Sequence, residues 1–462
     1  MPRGFRVSGV GAWLDAAGCP AERPPLERMS DETRQLHDAL DAQARRTGLP
    51  YLNPQEPTVQ LDLFGSSRAI AWQEAKAAFL FGGEGCWSQL PHLYARYGTT
   101  ATEKLIRRLR DLEQASSALV CDSGMQATAL VFDALMSPGS HAVLMRQVYN
   151  KTRTYLEWLA ARVGGSVTMV DDGDARAIES AIRPETQFVF AETFTNPLVR
   201  AQDLDMLREV VRTARGTAAA IKLIVDSTIA TPWAFSKPVL DYGVDVVVAS
   251  GTKALGGRDT DLWGYIATRD SAFANSVMDL LAMRGGILDW RRATAILCGF
   301  SNADVAHARR SATASRVAEF LSVHPKVSQV FHPSLPSHPD TEVIRRQYVR
   351  YGSLLSFRIK GADEERTRHY ADVLATSTIV RYALSFDGLA TKVNHHKTVS
   401  EYFTPPDQLR RNGFDRLIRL AVGMEAADDL IAALNWTLHH GDSMSSSDVE
   451  RWQQQRMTEL GV

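Results

Sequence analysis

The chain has 462 residues, of which 45% are hydrophobic and 23% are charged, and its formal net charge is −1. This length predicts two or three domains with a sizeable core, and the balanced charge gives no reason to expect binding to nucleic acid or to a membrane. The four cysteines are scattered without metal-binding spacing, and the chain shows neither a signal peptide nor a membrane-spanning apolar run, so we expect a reduced, cytoplasmic setting and no metal site.

Residues 1–90 are rich in proline, glycine and aromatic side chains, and only residues 31–46 show helical spacing of apolar positions. We predict an N-terminal arm here rather than a domain.

The pattern becomes regular from about Thr102, where Leu105, Leu109 and Leu112 recur with the spacing of an amphipathic helix. Short apolar runs then alternate with helical segments, as in βαβ units around a buried parallel sheet. The seven predicted strands lie at 117–121, 142–145, 166–170, 187–191, 223–225, 244–249 and 262–267. We therefore predict a large α/β domain over residues 91–310.

A second, smaller α/β domain is predicted over residues 311–440, because the rhythm of the chain changes after about residue 310. The predicted elements are a helix at 316–322, strands at 353–359, 379–384 and 417–422, and a closing helix at 426–438. We predict a polar tail over residues 441–462, with a short helix at 449–460.

Polar residues follow several predicted strands. Ser123-Gly124, Glu192, Asp226 and Lys253 each lie within four residues of the end of a predicted strand, and ligands bind beyond the carboxyl ends of such sheets. Each has an ordinary alternative, since Ser123 suits a helix N-cap, Asp226 a turn and Lys253 a solvated surface. Four such endings on one edge of one sheet favour a cofactor site with Lys253 as a Schiff-base lysine.

Eight motifs in this order resemble the Cys/Met-metabolism enzymes that use pyridoxal 5′-phosphate, the relatives of cystathionine γ-synthase, cystathionine γ-lyase and methionine γ-lyase. The resemblance runs from about Tyr94 to Leu438, and it implies the fold of fold-type-I pyridoxal-phosphate transferases. The motifs are Y-A-R (94–96), D-S-G-M-Q-A (122–127), V-Y-N-K-T-R (148–153), E-T-F-T-N-P (192–197), D-S-T-I-A-T-P (226–232), S-G-T-K-A-L-G-G (250–257), H-P-S-L-P-S-H-P (332–339) and L-I-R-L-A-V-G-M-E (417–425).

The resemblance implies a catalytic role for three residues. Lys253 matches the lysine that carries the cofactor and then moves protons on the substrate. Asp226 matches the aspartate that faces the pyridine nitrogen and keeps the ring protonated. Tyr149 matches the tyrosine that stacks on the ring and takes part in proton transfer at the γ-leaving group.

The resemblance also implies binding roles. Tyr94 and Arg96 match a pair that reaches the phosphate of a neighbouring subunit, so a homodimer sharing its active sites, and a homotetramer built from such dimers, are expected. Arg419 matches the arginine that clamps the substrate α-carboxylate. The remaining matched positions are Ser123, Gly124, Met125, Ser250 and Thr252 at the phosphate, Asn196 near the cofactor's phenolic oxygen and the substrate, and Ser385 near the substrate backbone.

The chain departs from the family pattern around the substrate side chain. Lys151 stands where a small residue or a cysteine is usual, and either it meets an anionic γ-group or it is a surface lysine. The turn 385–388 reads Ser-Phe-Asp-Gly instead of Ser-Leu-Gly-Gly, and residues 394–397 read Asn-His-His-Lys where the family has a Glu-His-Pro type of segment. We interpret His395 and His396 as polar loop residues rather than metal ligands, because they lack a spaced acidic or cysteine partner.

The expected reaction is γ-elimination or γ-replacement, through a vinylglycine-type ketimine, on an amino acid of the homoserine-ester, cystathionine, methionine or S-adenosylmethionine type. The substrate is expected to be specialised, and a second, nucleophilic substrate is possible. The alternatives are a β-lyase of the cystathionine β-lyase type and a catalytically silent partner subunit.

Overall fold

The computed structural model describes residues 95–214, 221–256, 260–300, 302–377, 379–401 and 404–460. The predicted N-terminal arm and Tyr94 lie outside the described residues. Among the described helices, none is long and apolar enough to span a bilayer.

The large domain is built on a seven-stranded sheet with the order β1-β7-β6-β5-β4-β2-β3. All neighbours in it pair in parallel except β7, which runs antiparallel to both β1 and β6. The strands are β1 (Ser117–Cys121), β2 (His141–Met145), β3 (Ser166–Val170), β4 (Thr186–Glu192), β5 (Lys222–Asp226), β6 (Val246–Ser250) and β7 (Gly264–Thr268). This arrangement confirms the predicted α/β fold with a mostly parallel seven-stranded sheet.

Helices accompany this sheet because parallel strands need cover on both faces. Helix α1 shows why they form where they do: the Thr99 side chain caps its first turn, and its apolar stripe buries Leu105 and Leu109 completely. The helices of the large domain are α1 (Thr100–Glu113), α2 (Gly124–Leu135), α3 (Asn150–Arg162), α4 (Ala175–Ala181), α5 (Leu204–Ala214), α6 (Ser271–Arg284) and α7 (Trp290–Phe300).

The reversed strand β7 shapes the edge of the sheet that follows the parallel strands. Gly264, its first residue, pairs with both Cys121 at the end of β1 and Ser250 at the end of β6. A Cβ on Gly264 would lie 2.3 Å from the Ser123 carbonyl oxygen, so only glycine allows this approach. As a result, the turn after β1 lies against the end of β6.

The smaller domain contains a five-stranded sheet with the order β10-β11-β12-β9-β8. Its elements are α8 (Ala303–Val323), β8 (Val327–Phe331), α9 (Thr341–Gln347), β9 (Leu354–Ile359), α10 (Glu364–Ala375), β10 (Val380–Tyr382), β11 (Thr391–His395), α11 (His396–Ser400), α12 (Pro406–Asn412), β12 (Ile418–Ala421), α13 (Ala427–His440) and α14 (Ser446–Leu460).

Two strands of this sheet, β8 and β11, were not predicted from the sequence. Strand β8 is a partly exposed edge strand with polar residues inside it, and β11 reads T-K-V-N-H, so neither has the apolar run of a buried strand. Pairing with neighbours supplies what the local pattern lacks. The helix predicted at 316–322 is the second half of α8, which runs across residue 310.

The buried apolar side chains form two clusters. The larger one surrounds the seven-stranded sheet, and the smaller one packs α8, α10 and α13 against the five-stranded sheet. Leu354 and Ala421, at the ends of paired strands in the smaller sheet, belong to the larger cluster. The two sheets therefore meet near β9 and β12, and the domain boundaries themselves stay a prediction.

Candidate active site

Lys253 follows β6 in a tight turn that packs against Trp263. The Gly256 N–H donates to the Gly251 carbonyl over 2.7 Å, and a Cβ on Gly251 would lie 2.1 Å from the Trp263 ring. Small residues around the lysine are thus required for the turn to close. The Lys253 Nζ donates to the Ser385 hydroxyl oxygen at 2.5 Å, so two predicted site residues from the two domains are in direct contact.

The turn after β1 forms a site suited to a phosphate. Ser123 caps α2 by accepting the Gln126 N–H on its side chain at 3.2 Å, and its carbonyl accepts the Ala127 N–H. Helix geometry leaves the N–H groups of Gly124 and Met125 without an acceptor inside the helix, at the positive end of its dipole. This is the place of the predicted phosphate cradle.

Ser250 forms the other side of this cradle. A Cβ on Gly124 would lie 2.5 Å from the Ser250 Cβ, so the absence of a side chain at residue 124 is a steric requirement. The Ser250 N–H donates to the Thr228 hydroxyl at 2.8 Å, which holds the end of β6 against the turn after β5.

Thr252 has its side chain engaged with the protein itself. Its hydroxyl accepts the Trp263 N–H at 3.0 Å and donates to the Trp263 carbonyl at 3.2 Å. To donate to a phosphate, this hydroxyl would have to rotate away from the Trp263 carbonyl. The phosphate role of Thr252 therefore stays a prediction.

Two carboxyl groups lie side by side at the ends of β4 and β5, where Glu192 pairs with Asp226 in the sheet register. Burial raises the pKa of Asp226 to about 6, although the N–H and hydroxyl of Thr228 oppose the rise. Burial and the neighbouring Asp226 raise the pKa of Glu192 well above its ordinary value. A cationic partner at Asp226, such as a protonated ring nitrogen, would offset this loss of hydration.

Glu192 also positions Tyr149, a contact that sequence reasoning missed. One Glu192 carboxylate oxygen accepts the backbone N–H of Tyr149 at 2.5 Å, at the start of α3. The Tyr149 side chain is 48% exposed, and Lys151 is exposed in the first turn of the same helix. The only sequence signal for this contact is the acidic residue at a strand end.

Arg419 lies on β12 with its side chain almost completely buried. Its guanidinium donates to the Leu384 carbonyl at 2.9 Å and to the Asn196 side-chain oxygen at 3.4 Å. Burial lowers its pKa to about 10, so the group is a cation at neutral pH. Arg419 and Asn196 are thus in contact, and their roles at the substrate stay predictions.

Phe386 lies between the lysine and the arginine and was not predicted as a site residue. The centroid of its ring is 5.2 Å from the Lys253 Nζ and 5.5 Å from the Arg419 guanidinium carbon. Both distances are in the range of cation–π contacts. An amine and a guanidinium therefore lie beside one ring.

His395 and His396 are not loop residues, because they end β11 and begin α11, and both are buried. The His395 ring nitrogens contact the Thr398 hydroxyl at 2.7 Å and the Asp415 carbonyl at 2.8 Å. Burial lowers the pKa of His396 well below its ordinary value, so this ring is neutral. In the part of the chain that the structure describes, no group of three His, Cys, Asp or Glu side chains is placed to hold a metal ion.

Arg96 lies beside α6, where its guanidinium donates to the Ala282 carbonyl at 3.2 Å and stacks near the Tyr97 ring. Its predicted partner Tyr94 lies outside the described residues. The role of this pair at the phosphate of a second subunit stays a prediction.

The residues at the strand ends fit pyridoxal 5′-phosphate. The cradle at Gly124 and Met125 suits its phosphate, the Asp226 carboxyl suits its ring nitrogen, and the Lys253 amine suits its aldehyde. The steric demand at Gly124 is the structural observation that favours this fit, since a side chain there would fill the cradle.

Comparison with known proteins agrees with this fit. A model of the Cys/Met metabolism PLP-dependent enzyme family matches residues 73–439. The match therefore begins inside the segment predicted as an N-terminal arm. Cystathionine gamma-synthase 1, chloroplastic, from Arabidopsis thaliana is 34% identical over 341 residues, 73% of this chain and 58% of that protein. This chain therefore spans less than two thirds of that relative.

Two further relatives are matched over more of their length. The L-methionine gamma-lyase of Fusobacterium nucleatum is 30% identical over 346 residues, 74% of this chain and 85% of that enzyme. A solved structure of cystathionine gamma synthase from Xanthomonas oryzae pv. oryzae in complex with cystathionine superposes with a TM-score of 0.70 at 27% identity, over 77% of this chain and 89% of that one. The chain thus belongs to the Cys/Met metabolism family of pyridoxal-phosphate-dependent enzymes.

Proposed function

We propose that this enzyme catalyses elimination or replacement at the γ-carbon of an α-amino acid that carries a γ-leaving group. The observation that carries the proposal is the placement of Lys253 and Arg419 beside the same Phe386 ring. An α-amino acid carries its amine and its carboxylate on one carbon atom, so the lysine that would hold the cofactor aldehyde and the arginine that would bind the carboxylate have to lie close together. The names of the relatives, γ-synthases and a γ-lyase, support reaction at the γ-carbon.

The bound cofactor would supply a conjugated electron sink for the Cα electron pair. The N–H groups of Gly124 and Met125, with the Ser250 hydroxyl, would hold its phosphate. Asp226 would pair with its ring nitrogen, and this pairing would lower the pKa of Asp226 below the value of about 6 that burial imposes.

Each polar side chain would then act on a particular atom of the substrate. Arg419 binds the substrate carboxylate with its planar fork and thereby orients the Cα–H bond. The Lys253 amine, once released, would take the proton from Cα, give it up to the bound cofactor, and then, as a free amine again, take a proton from Cβ. Its contact with Ser385 would hold it in place for both transfers. The Tyr149 hydroxyl delivers a proton to the leaving group at Cγ.

Lys151 supports a substrate whose γ-group is anionic, such as a phosphate or carboxylate ester. Lys151 lies in the first turn of α3, and Tyr149, the N-cap residue, makes no side-chain capping bond there. The N-terminal end of a helix dipole attracts anions. A lysine in that turn is unfavourable for the helix dipole by about 0.3–1 kcal/mol. An anion bound beside Tyr149 would be attracted by both the lysine and the helix end.

The decisive experiment is product analysis by mass spectrometry. Purified enzyme loaded with cofactor is incubated with O-phospho-, O-acetyl- and O-succinyl-homoserine, cystathionine, methionine, canavanine and S-adenosylmethionine, each with and without a thiol. We expect a 2-oxo acid and ammonia without thiol, or a new Cγ–S bond with it. Pyruvate from cystathionine would instead support the β-lyase alternative, and no turnover in the whole series would support a silent subunit.

Two variants test the residues. Lys253→Ala should lose the visible absorbance of the covalently held cofactor and all turnover, whereas the exposed Lys360→Ala should keep both. Lys151→Ser should raise KM for phosphohomoserine by about tenfold and leave KM for uncharged esters nearly unchanged, the loss expected for one charge-assisted hydrogen bond. Equal effects on charged and uncharged substrates would contradict the role of Lys151.

A further inference from the structure

Arg310 is a completely buried arginine on α8 that no step of the proposed reaction uses. One terminal nitrogen donates to the Ala254 carbonyl at 3.0 Å, and the other donates to the Gly388 carbonyl at 3.1 Å. Ala254 is the residue after Lys253, and Gly388 closes the turn that begins with Ser385. One guanidinium therefore joins the backbone of the lysine turn to the backbone of the turn that holds the lysine's hydroxyl partner.

The turn from Ser385 to Gly388 is held at several points, so its position is not left to the loop alone. The Leu384 carbonyl before it accepts from Arg419, and the buried Asp387 side chain accepts from the Ser353 hydroxyl. Asp387 has a φ of 63°, in the left-handed region that costs a non-glycine residue free energy. This conformation persists only where contacts with the surrounding side chains maintain it.

A buried arginine is a costly way to fill space, because its charge loses hydration and apolar residues of similar volume often replace buried ion pairs without loss. What apolar residues cannot do is donate to two carbonyl groups at once. The planar guanidinium presents two terminal nitrogens in a fixed fork, which suits a bridge between two backbone segments. An ammonium group is a single point and cannot occupy both nitrogen positions.

We propose that Arg310 is a positioning residue for Lys253, which keeps the Lys253 turn in register with the Ser385–Gly388 turn and so holds the Lys253 amine against Ser385. The proposal rests on the proposed function only in taking Lys253 as the cofactor lysine. It assigns to Arg310 no contact with substrate or cofactor.

The test uses Arg310→Met, which keeps the length but not the donors, and Arg310→Lys, which keeps the charge but not the fork. The exposed neighbour on the same helix, Arg309→Met, is the matched control. Leu434→Ala, in the core of the smaller domain, supplies a variant destabilised at a remote position. The first measurement is made on the cofactor-free protein, as the rate at which acetic anhydride labels Lys253 relative to the exposed Lys360, resolved by mass spectrometry across pH.

We expect Lys253 to be labelled about fivefold faster in both Arg310 variants, because one net hydrogen bond corresponds to about that factor. The labelling rate of Lys253 should be unchanged in Arg309→Met and Leu434→Ala. In the loaded enzyme kcat should fall about 10- to 100-fold with KM changed less than about threefold, as expected when a reacting group is misplaced.

Three results would overturn the proposal: wild-type labelling of Lys253 in Arg310→Met, full rescue by Arg310→Lys, or equal changes in Leu434→Ala at the same loss of melting temperature. If Arg310→Met does not fold, Arg310→Lys alone decides between the outcomes. Failure of the proposed function would appear separately, as turnover retained in Lys253→Ala.

Discussion

Replacing Asp226 with asparagine should stabilise the cofactor-free protein while abolishing its function. Burial raises the pKa of Asp226 from 3.8 to about 6, which means that the fold favours the protonated form. One pKa unit corresponds to about 1.4 kcal/mol, so the ionised carboxylate lowers the free energy of unfolding by about 3 kcal/mol at pH values above 6. Asparagine keeps the shape and the acceptor for the Thr228 N–H, and it removes the charge beside Glu192.

The pH dependence distinguishes this effect from a change in packing. Below pH 3.8 the carboxyl group is protonated in both the folded and the unfolded chain, and its ionisation costs nothing. Between pH 3.8 and 6 the unfolded chain releases the proton while the folded protein keeps it, so the cost grows. The advantage of Asp226→Asn should therefore rise from about 0.5 kcal/mol at pH 4 to about 3 kcal/mol at pH 7 and above.

The assay is urea unfolding of the cofactor-free wild type and variant, followed by circular dichroism at pH 4, 5, 6, 7 and 8. A parallel series with added pyridoxal phosphate should reverse the order of stability, because the wild-type carboxylate then has a cationic partner. Three outcomes would refute the reasoning: a gain below about 1 kcal/mol at pH 8, a gain independent of pH, or a variant that is less stable than the wild type without cofactor.

Three further predictions concern the cradle, the carboxylate clamp and the tyrosine. Gly124→Ala should lower the free energy of unfolding by about 1–3 kcal/mol and weaken cofactor binding, since its Cβ would lie 2.7 Å from the Ser250 Cα. The control Gly139→Ala lies in open space at a positive φ, so calorimetry should show a loss of stability while cofactor binding stays unchanged. Arg419→Lys should raise KM for the amino acid about 10- to 100-fold in steady-state assays, because a lysine cannot bind both carboxylate oxygens, and an unchanged KM would contradict the clamp. Tyr149→Phe should keep the melting temperature, because Glu192 binds the backbone N–H, but lower kcat about 10²- to 10⁴-fold; loss confined to KM would argue against proton transfer.

Much of the site could be predicted, because its residues follow strands whose apolar runs can be recognised in the sequence. Ser123, Asp226 and Lys253 each end a strand or follow one within three residues, and parallel strands bring their carboxyl ends to one edge of the sheet. The motifs around Lys253, Asp226 and Ser123 then named the family, and the comparison confirmed it.

The contacts between distant segments could not be read from the sequence. Arg310 lies in the middle of a helix with ordinary spacing, and only the packing of two turns against it shows its two carbonyl partners. Phe386 was noticed as a departure in a turn, but its position between two cations depends on how the smaller sheet meets the larger one. The burial of His395 likewise depends on strand pairing that its polar neighbours do not indicate.

The sequence by itself determined the fold class, and it predicted which lysine holds the cofactor and at which edge of the sheet, because apolar periodicity and the residues that end each strand are local properties of the chain. The tertiary structure decided how Lys253 is held. Its amine contacts Ser385 from 132 residues away. Such contacts form where the two sheets and their apolar clusters pack against each other. Their partners are therefore determined by packing in three dimensions rather than by spacing along the chain.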